Sequence, residues 1–103
     1  MDTSEHQRAA RELLQFCADH DYQSEYLVHI RASLDALTKD DIDGAVGAYR
    51  KVPLGGMGCF NDWGPTVLVP GESNRQARTS FDRLTTRWSS LMAALGAPAV
   101  GGA

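Results

Sequence analysis

Apolar residues recur at intervals of three and four along most of the chain, the spacing that lines one face of an α-helix. Ala9, Leu13, Leu14, Phe16 and Cys17 mark a first helix. Thr3 or Ser4 can cap it, and Glu5 sits in its first turn, where a carboxylate meets the positive helix end. This helix is expected to end near the Asp-His-Asp-Tyr run at 19–22. A second, starting at Asp21 or Ser24, carries Tyr26, Leu27, Ile30, Leu34 and Leu37 on one stripe, with Glu25, Arg31 and Asp35 on the wet side.

A third, shorter helix follows Thr38. Asp40, Asp41 and Asp43 gather at its positive end and Arg50 and Lys51 at its negative end, while Ile42, Val46 and Tyr49 face inward. Gly44 and Gly47 inside it each cost about 1 kcal/mol relative to alanine, which predicts that another backbone packs closely against them. Pro53 is expected to end it, because proline disfavours helical geometry in the residue before it. Ser73 can cap a fourth helix whose apolar face reads Ala77, Phe81, Leu84, Trp88, Leu91, Met92 and Leu95.

Between the third and fourth helices the periodicity breaks. Residues 53–65 read Pro-Leu-Gly-Gly-Met-Gly-Cys-Phe-Asn-Asp-Trp-Gly-Pro, and the whole connection from Val52 to Glu72 is long for a compact domain unless it is functional or packed by its own side chains. Thr66–Val69, Thr-Val-Leu-Val between Pro65 and Pro70, is a short extended piece at most. The expected fold is mostly α: a small antiparallel bundle of about four helices with a long Gly-rich loop. A chain of 103 residues is too short for a second core, so residues 1–95 form one domain and 96–103 a flexible tail.

Composition narrows the partners. The apolar fraction of 43% and charged fraction of 22% belong to a globular protein. With 13 acidic against 10 basic side chains and no window dense in Lys or Arg, nucleic acid is not an expected partner. Arg75, Arg78, Arg83 and Arg87 are spread along the last helix and read as a solvated face pairing with nearby acids. No apolar run approaches the roughly 20 residues that span a bilayer, and the polar N-terminal stretch does not resemble a signal peptide, so no membrane is expected and the location is expected to be cytoplasmic. The two cysteines, Cys17 and Cys59, are expected to be reduced thiols. No His/Cys ligand spacing indicates a zinc site, and no cofactor is expected.

The Gly-rich loop carries what candidate chemistry there is. Gly55, Gly56 and Gly58 allow positive φ or close approach of the backbone. Met57, Phe60 and Trp63 are placed to plug the open end of the bundle, with Asn61 and Asp62 bonding to nearby amides. A phosphate-loop reading fails, because the segment lacks a lysine and is not followed directly by a helix. A nucleophile reading takes Cys59 with His29 or His20 as base and Asp62 as orienter, or a ligand pocket around Cys59, Asn61 and Asp62. His6, on a polar first turn, is expected to be solvated.

A recognition reading is preferred. It makes Met57, Phe60, Asn61, Asp62 and Trp63 the contact surface for a protein partner, with Asp40, Asp41 and Asp43, and Asp19 and Asp21, steering a basic partner. A structural alternative is a homodimer built on the helix-four stripe with Trp88 and Met92.

The run Gly-Gly-Met-Gly-Cys-Phe-Asn-Asp-Trp at 55–63 resembles a bacterial domain family of unknown function, in which a Gly-Gly-Met-Gly-Ser-Phe-Asn-Asp-like segment joins N-terminal helices to a short extended piece and a last helix. The resemblance covers roughly Ile42 to Leu95, and this chain departs from it by having Cys59 in place of serine. It implies a small non-catalytic partner protein of the immunity or antitoxin kind, binding a toxin.

Overall fold

A computed structural model describes residues 2–55 and 58–97. Four α-helices form: α1 (Ser4–Asp19), α2 (Leu27–Thr38), α3 (Ile42–Tyr49) and α4 (Asn74–Leu95), with a single 3-10 turn at Phe60–Asp62 in the long connection. The helices close a ring in which α1 packs on α2 and α4, and α3 packs on α2 and α4. This is the helical bundle that the apolar periodicity predicts. At about 1.5 Å per residue α4 is about 33 Å long and runs along much of the 47 Å long axis of the molecule.

The core is filled from every helix: Leu13, Phe16 and Cys17 from α1, Ile30 and Leu37 from α2, Ala45 and Val46 from α3, and Phe81, Trp88 and Met92 from α4. Phe60 of the long connection joins them. Two small polar groups, Ser33 and Thr85, are buried on the apolar faces of α2 and α4. Ser33 donates to the carbonyl of Ala45 at 2.9 Å and so ties α2 to α3 inside the core. Trp88 and Met92 have no exposed surface, while Leu84, Leu91 and Leu95 of the same stripe are half-buried.

Helix ends show where local chemistry acts. Ser73 caps α4 with a reciprocal box: its hydroxyl accepts from the Gln76 amide at 3.1 Å, and the Gln76 side chain accepts from the Ser73 amide at 2.8 Å. At α1, Thr3 occupies the N-cap position without capping. Its buried hydroxyl accepts from the Gln7 side chain, while Asp2 takes the Ser4 amide. The second helix starts at Leu27, later than Ser24, whose hydroxyl instead accepts from the Tyr26 amide in the approach to the helix. The third ends at Tyr49, before Pro53 acts, in a turn closed by the Val52 amide on the Tyr49 carbonyl.

The aspartates at the corners have specific backbone roles. Asp40 (φ 57°) and Asp21 (φ 54°) both sit in the left-handed region, one residue past the caps of α2 and α1. Around Asp40 the Asp41 amide donates to the Ala36 carbonyl and the Asp40 amide to Leu37; around Asp21 the Tyr22 amide donates to Cys17 and the Asp21 amide to Ala18. This is the Schellman arrangement, which satisfies the last carbonyls of a helix and is usually built with glycine. Asp41 is then the N-cap of α3, its carboxylate accepting from the Gly44 amide at 3.0 Å.

Gly44 answers to this cap, and neither glycine of α3 answers to a neighbouring backbone. A Cβ on Gly44 would collide with the Asp41 carboxylate, whereas one on Gly47 would meet nothing within 4 Å. Because a left-handed conformation strains a residue with a Cβ, Asp40→Gly is expected to raise the unfolding free energy by about 0.5–1 kcal/mol in urea denaturation. A loss of stability would show that the Asp40 carboxylate supports the start of α3 by more than its backbone strain costs.

Candidate functional site

The long connection is built into the bundle at its centre and held at both ends. Phe60 is fully buried; its amide donates to the Pro53 carbonyl at 2.9 Å and its carbonyl accepts from the Tyr22 hydroxyl at 2.7 Å. Trp63 lies flat on Tyr22, with ring centroids 4.0 Å apart and planes 4° from parallel, and meets Phe81 edge-on at 5.0 Å. Tyr22 and Phe81 also flank Phe60, at 5.3 and 5.6 Å. Aromatic pairs of this geometry add about 0.5–1.5 kcal/mol each beyond area burial, so the cluster anchors the connection firmly.

The polar side chains of the loop serve its closure. Asn61 accepts from the Gly55 amide at 2.8 Å and Asp62 from the Gly58 amide at 2.9 Å, as the side-chain turn reading expects. Gly55 and Gly58 both have positive φ, which permits these sharp reversals. Arg78 of α4 reaches back to the Trp63 carbonyl at 3.1 Å and pairs with Asp82 at 3.3 Å. Arg87 pairs with Glu12 of α1 at 3.3 Å. Two of the four helix-four arginines thus make the contacts of a solvated face, each weak because it is exposed.

The residues named for recognition do not share one environment. Phe60 is removed from any contact surface by its complete burial, a correction with a simple cause: its ring is what fills the end of the bundle. Trp63 and Asn61 are half-buried and Asp62 is exposed. Met57 lies outside the described residues. Asp40, Asp41 and Asp43 are exposed at the α2–α3 corner, where the first two also shape the backbone. Val67 at 46% and Leu68 at 37% are the exposed large hydrophobic residues among the described residues of the connection, and neither stood out in the sequence beyond its place in the Thr-Val-Leu-Val run. That run forms no strand.

The catalytic reading gains no support from the geometry. Both ring nitrogens of His20 are engaged, Nδ1 with the Phe16 carbonyl at 2.8 Å and Nε2 with the Glu72 carboxylate at 2.6 Å. Among the described residues, neither His20 nor His29 is hydrogen-bonded to Cys59, and no group of three or more His, Cys, Asp and Glu side chains is arranged to hold a metal ion. His6 is half-buried rather than solvated, and its Nδ1 has no partner among the described residues. A groove of about 590 Å³ lies at the corner of α1 and α2, walled by Cys17, Tyr22, Ser24, Glu25, Leu27 and Arg31. Cys59, Asn61 and Asp62 are not among its walls.

Burial pushes the Cys17 thiol at the base of that groove up from 9.0 to about 12, against the pull of Arg31. A proton held so firmly makes Cys17 a poor nucleophile, because the thiolate is the reactive form. Burial also raises the Tyr22 hydroxyl, although its contact with Ser24 acts the other way. The raised value suits a hydroxyl that must donate to the Phe60 carbonyl. No helix among the described residues is long and apolar enough to cross a membrane.

Comparison of the chain with family models, with curated proteins and with solved structures gives no match.

Proposed function

We propose that this protein is a protein-interaction domain that presents the segment from Asn61 to Leu68 to a partner. The observation that carries the reading is the exposure of Val67 and Leu68 on a connection tied down at both ends. The Phe60–Trp63–Tyr22 cluster holds it before, and the Glu72 contact with His20 holds it after. A pre-ordered apolar segment loses little conformational entropy on binding, so modest area can yield useful affinity. Half-buried Trp63 and exposed Asp62 extend the surface, and the carboxylates of Asp40, Asp41 and Asp43 raise the encounter rate with a basic partner. In its most concrete form the partner is a toxin and the protein its immunity-type inhibitor, as the resemblance of the loop suggests.

The test is capture of the partner from the host with the full chain, repeated with Val67→Asp/Leu68→Asp. Both residues are exposed, so the variant is expected to fold with unchanged helical signal while partner affinity falls at least about tenfold, as expected when central apolar contacts are replaced by charge. An affinity unchanged within about threefold would place the interface elsewhere on the molecule.

A further inference from the structure

The contact between His20 and Glu72 joins residues 52 positions apart and holds the end of α1 to the turn that precedes α4. His20 is 4% exposed and stacks on Phe16 with ring centroids 3.8 Å apart. Its Nδ1 lies 2.8 Å from the Phe16 carbonyl, which can only accept, so Nδ1 carries a hydrogen. A neutral ring would then present a bare lone pair on Nε2. That atom faces the Glu72 carboxylate at 2.6 Å, and an ionised carboxylate also only accepts.

We propose that the His20–Glu72 contact is a proton-dependent clasp that fixes the segment bearing Val67 and Leu68 to the end of α1. The closed clasp contains a proton between Nε2 and Oε1. It can reside on nitrogen, as imidazolium and carboxylate, or on oxygen, as imidazole and carboxylic acid; the proton inventory is the same. When that proton leaves, two lone pairs confront each other in a buried site. A change of tautomer restores the bond to Glu72 only by turning the Nδ1 lone pair onto the Phe16 carbonyl. One of the two contacts is therefore lost in either case.

Release at Glu72 reaches the exposed segment directly. The same Oε1 accepts from the Val69 amide at 3.3 Å, and the Glu72 amide donates to the Val69 carbonyl at 3.1 Å. Movement of Glu72 thus opens the turn immediately after Leu68 and before the Ser73 cap. Asp19, engaged by Gln15, and Asp21, engaged by Gln23, flank His20 in sequence and are both exposed. On the side of α4, the Phe16 ring that stacks on His20 packs against the uncharged Phe81. Glu72 is the acidic group in ion-pair contact with the ring among the described residues.

The test needs no partner. The full chain, labelled with nitrogen-15, is followed by NMR between about pH 5 and about pH 9, a span that covers the range of about pH 5–8 in which an unperturbed imidazole changes charge. The readouts are the two ring nitrogens of His20 and the amide of Val69. The clasp predicts one transition with a common midpoint for the ring and the Val69 amide, while amides of α2 and α3 stay in place. In His20→Gln, whose side chain does not titrate but can still donate to the Glu72 carboxylate, the Val69 transition should vanish while the fold persists. A ring that does not titrate in this range, a Val69 amide that stays still while the ring titrates, or a Val69 transition that survives in His20→Gln overturns the proposal. The wild-type midpoints decide the matter even if the variant folds poorly.

Discussion

Replacing Phe60 with alanine is expected to lower the unfolding free energy by about 3–5 kcal/mol, the range for truncating a fully buried aromatic side chain. The ring has no exposed surface and sits against Tyr22 and Phe81, so its removal leaves a cavity where α1, α4 and the long connection meet. For a domain whose total stability is on the order of 5–15 kcal/mol, such a loss removes a large share of the margin. Trp63→Ala is expected to cost less than half as much, because Trp63 is only half-buried and its position on Tyr22 can be partly refilled by water. Urea denaturation of the two variants beside the parent measures both. A Phe60→Ala cost below about 1 kcal/mol would mean that the connection lies on the bundle without being part of its core. Complete burial is also why Phe60 cannot serve as an interface probe: its truncation changes partner binding through the fold.

The second large effect is expected at Trp88. Trp88→Ala should cost about 3–5 kcal/mol, and for a domain of this size each kcal/mol shifts Tm by roughly 4–8 °C. Trp88 is the largest fully buried side chain and meets Tyr49 edge-on at 5.3 Å, so it joins α4 to α3 across the core. Its indole Nε1 has no hydrogen-bond partner among the described residues, and neither has the Thr85 hydroxyl one turn earlier on α4. An unpaired buried donor is itself destabilising by about 1–3 kcal/mol. Trp88→Phe, which keeps an aromatic ring and removes that donor, is therefore expected to lose less than half of what Trp88→Ala loses. Thermal unfolding of the pair separates the terms. Equal losses would mean that the indole N–H is satisfied in solution, for example by an internal water shared with Thr85.

The two variants also mark how far the sequence reaches. Trp88 and Phe81 fall on a period of three and four with Ala77 and Met92, and their burial follows from that spacing. Phe60 and Trp63 lie outside any periodic run and look equivalent as aromatics in a Gly-rich loop. Their different exposure depends on where Tyr22 and Phe81 stand, which no local pattern records. The acidic residues show the same limit in another form. Asp40, Asp41 and Asp43 were legible as an acidic cluster at a helix start, and Asp41 is indeed the cap of α3. That Asp40 ends α2 in a left-handed conformation is a backbone property, one that glycine or asparagine would have announced and aspartate does not.

The number of helices, the apolar faces they turn inward, the cap at Ser73 and the anchoring turns of Asn61 and Asp62 were all readable from residues a few positions apart. That Phe60 belongs to the core, that Trp88 and Met92 are covered from within, that Val67 and Leu68 remain outside, and that His20 meets Glu72 came from the folded arrangement. Those outcomes depend on which surfaces the helices bring together across tens of residues. A side chain's exposure and the partner of a buried polar group are set by that long-range packing, which local periodicity and capping chemistry do not encode.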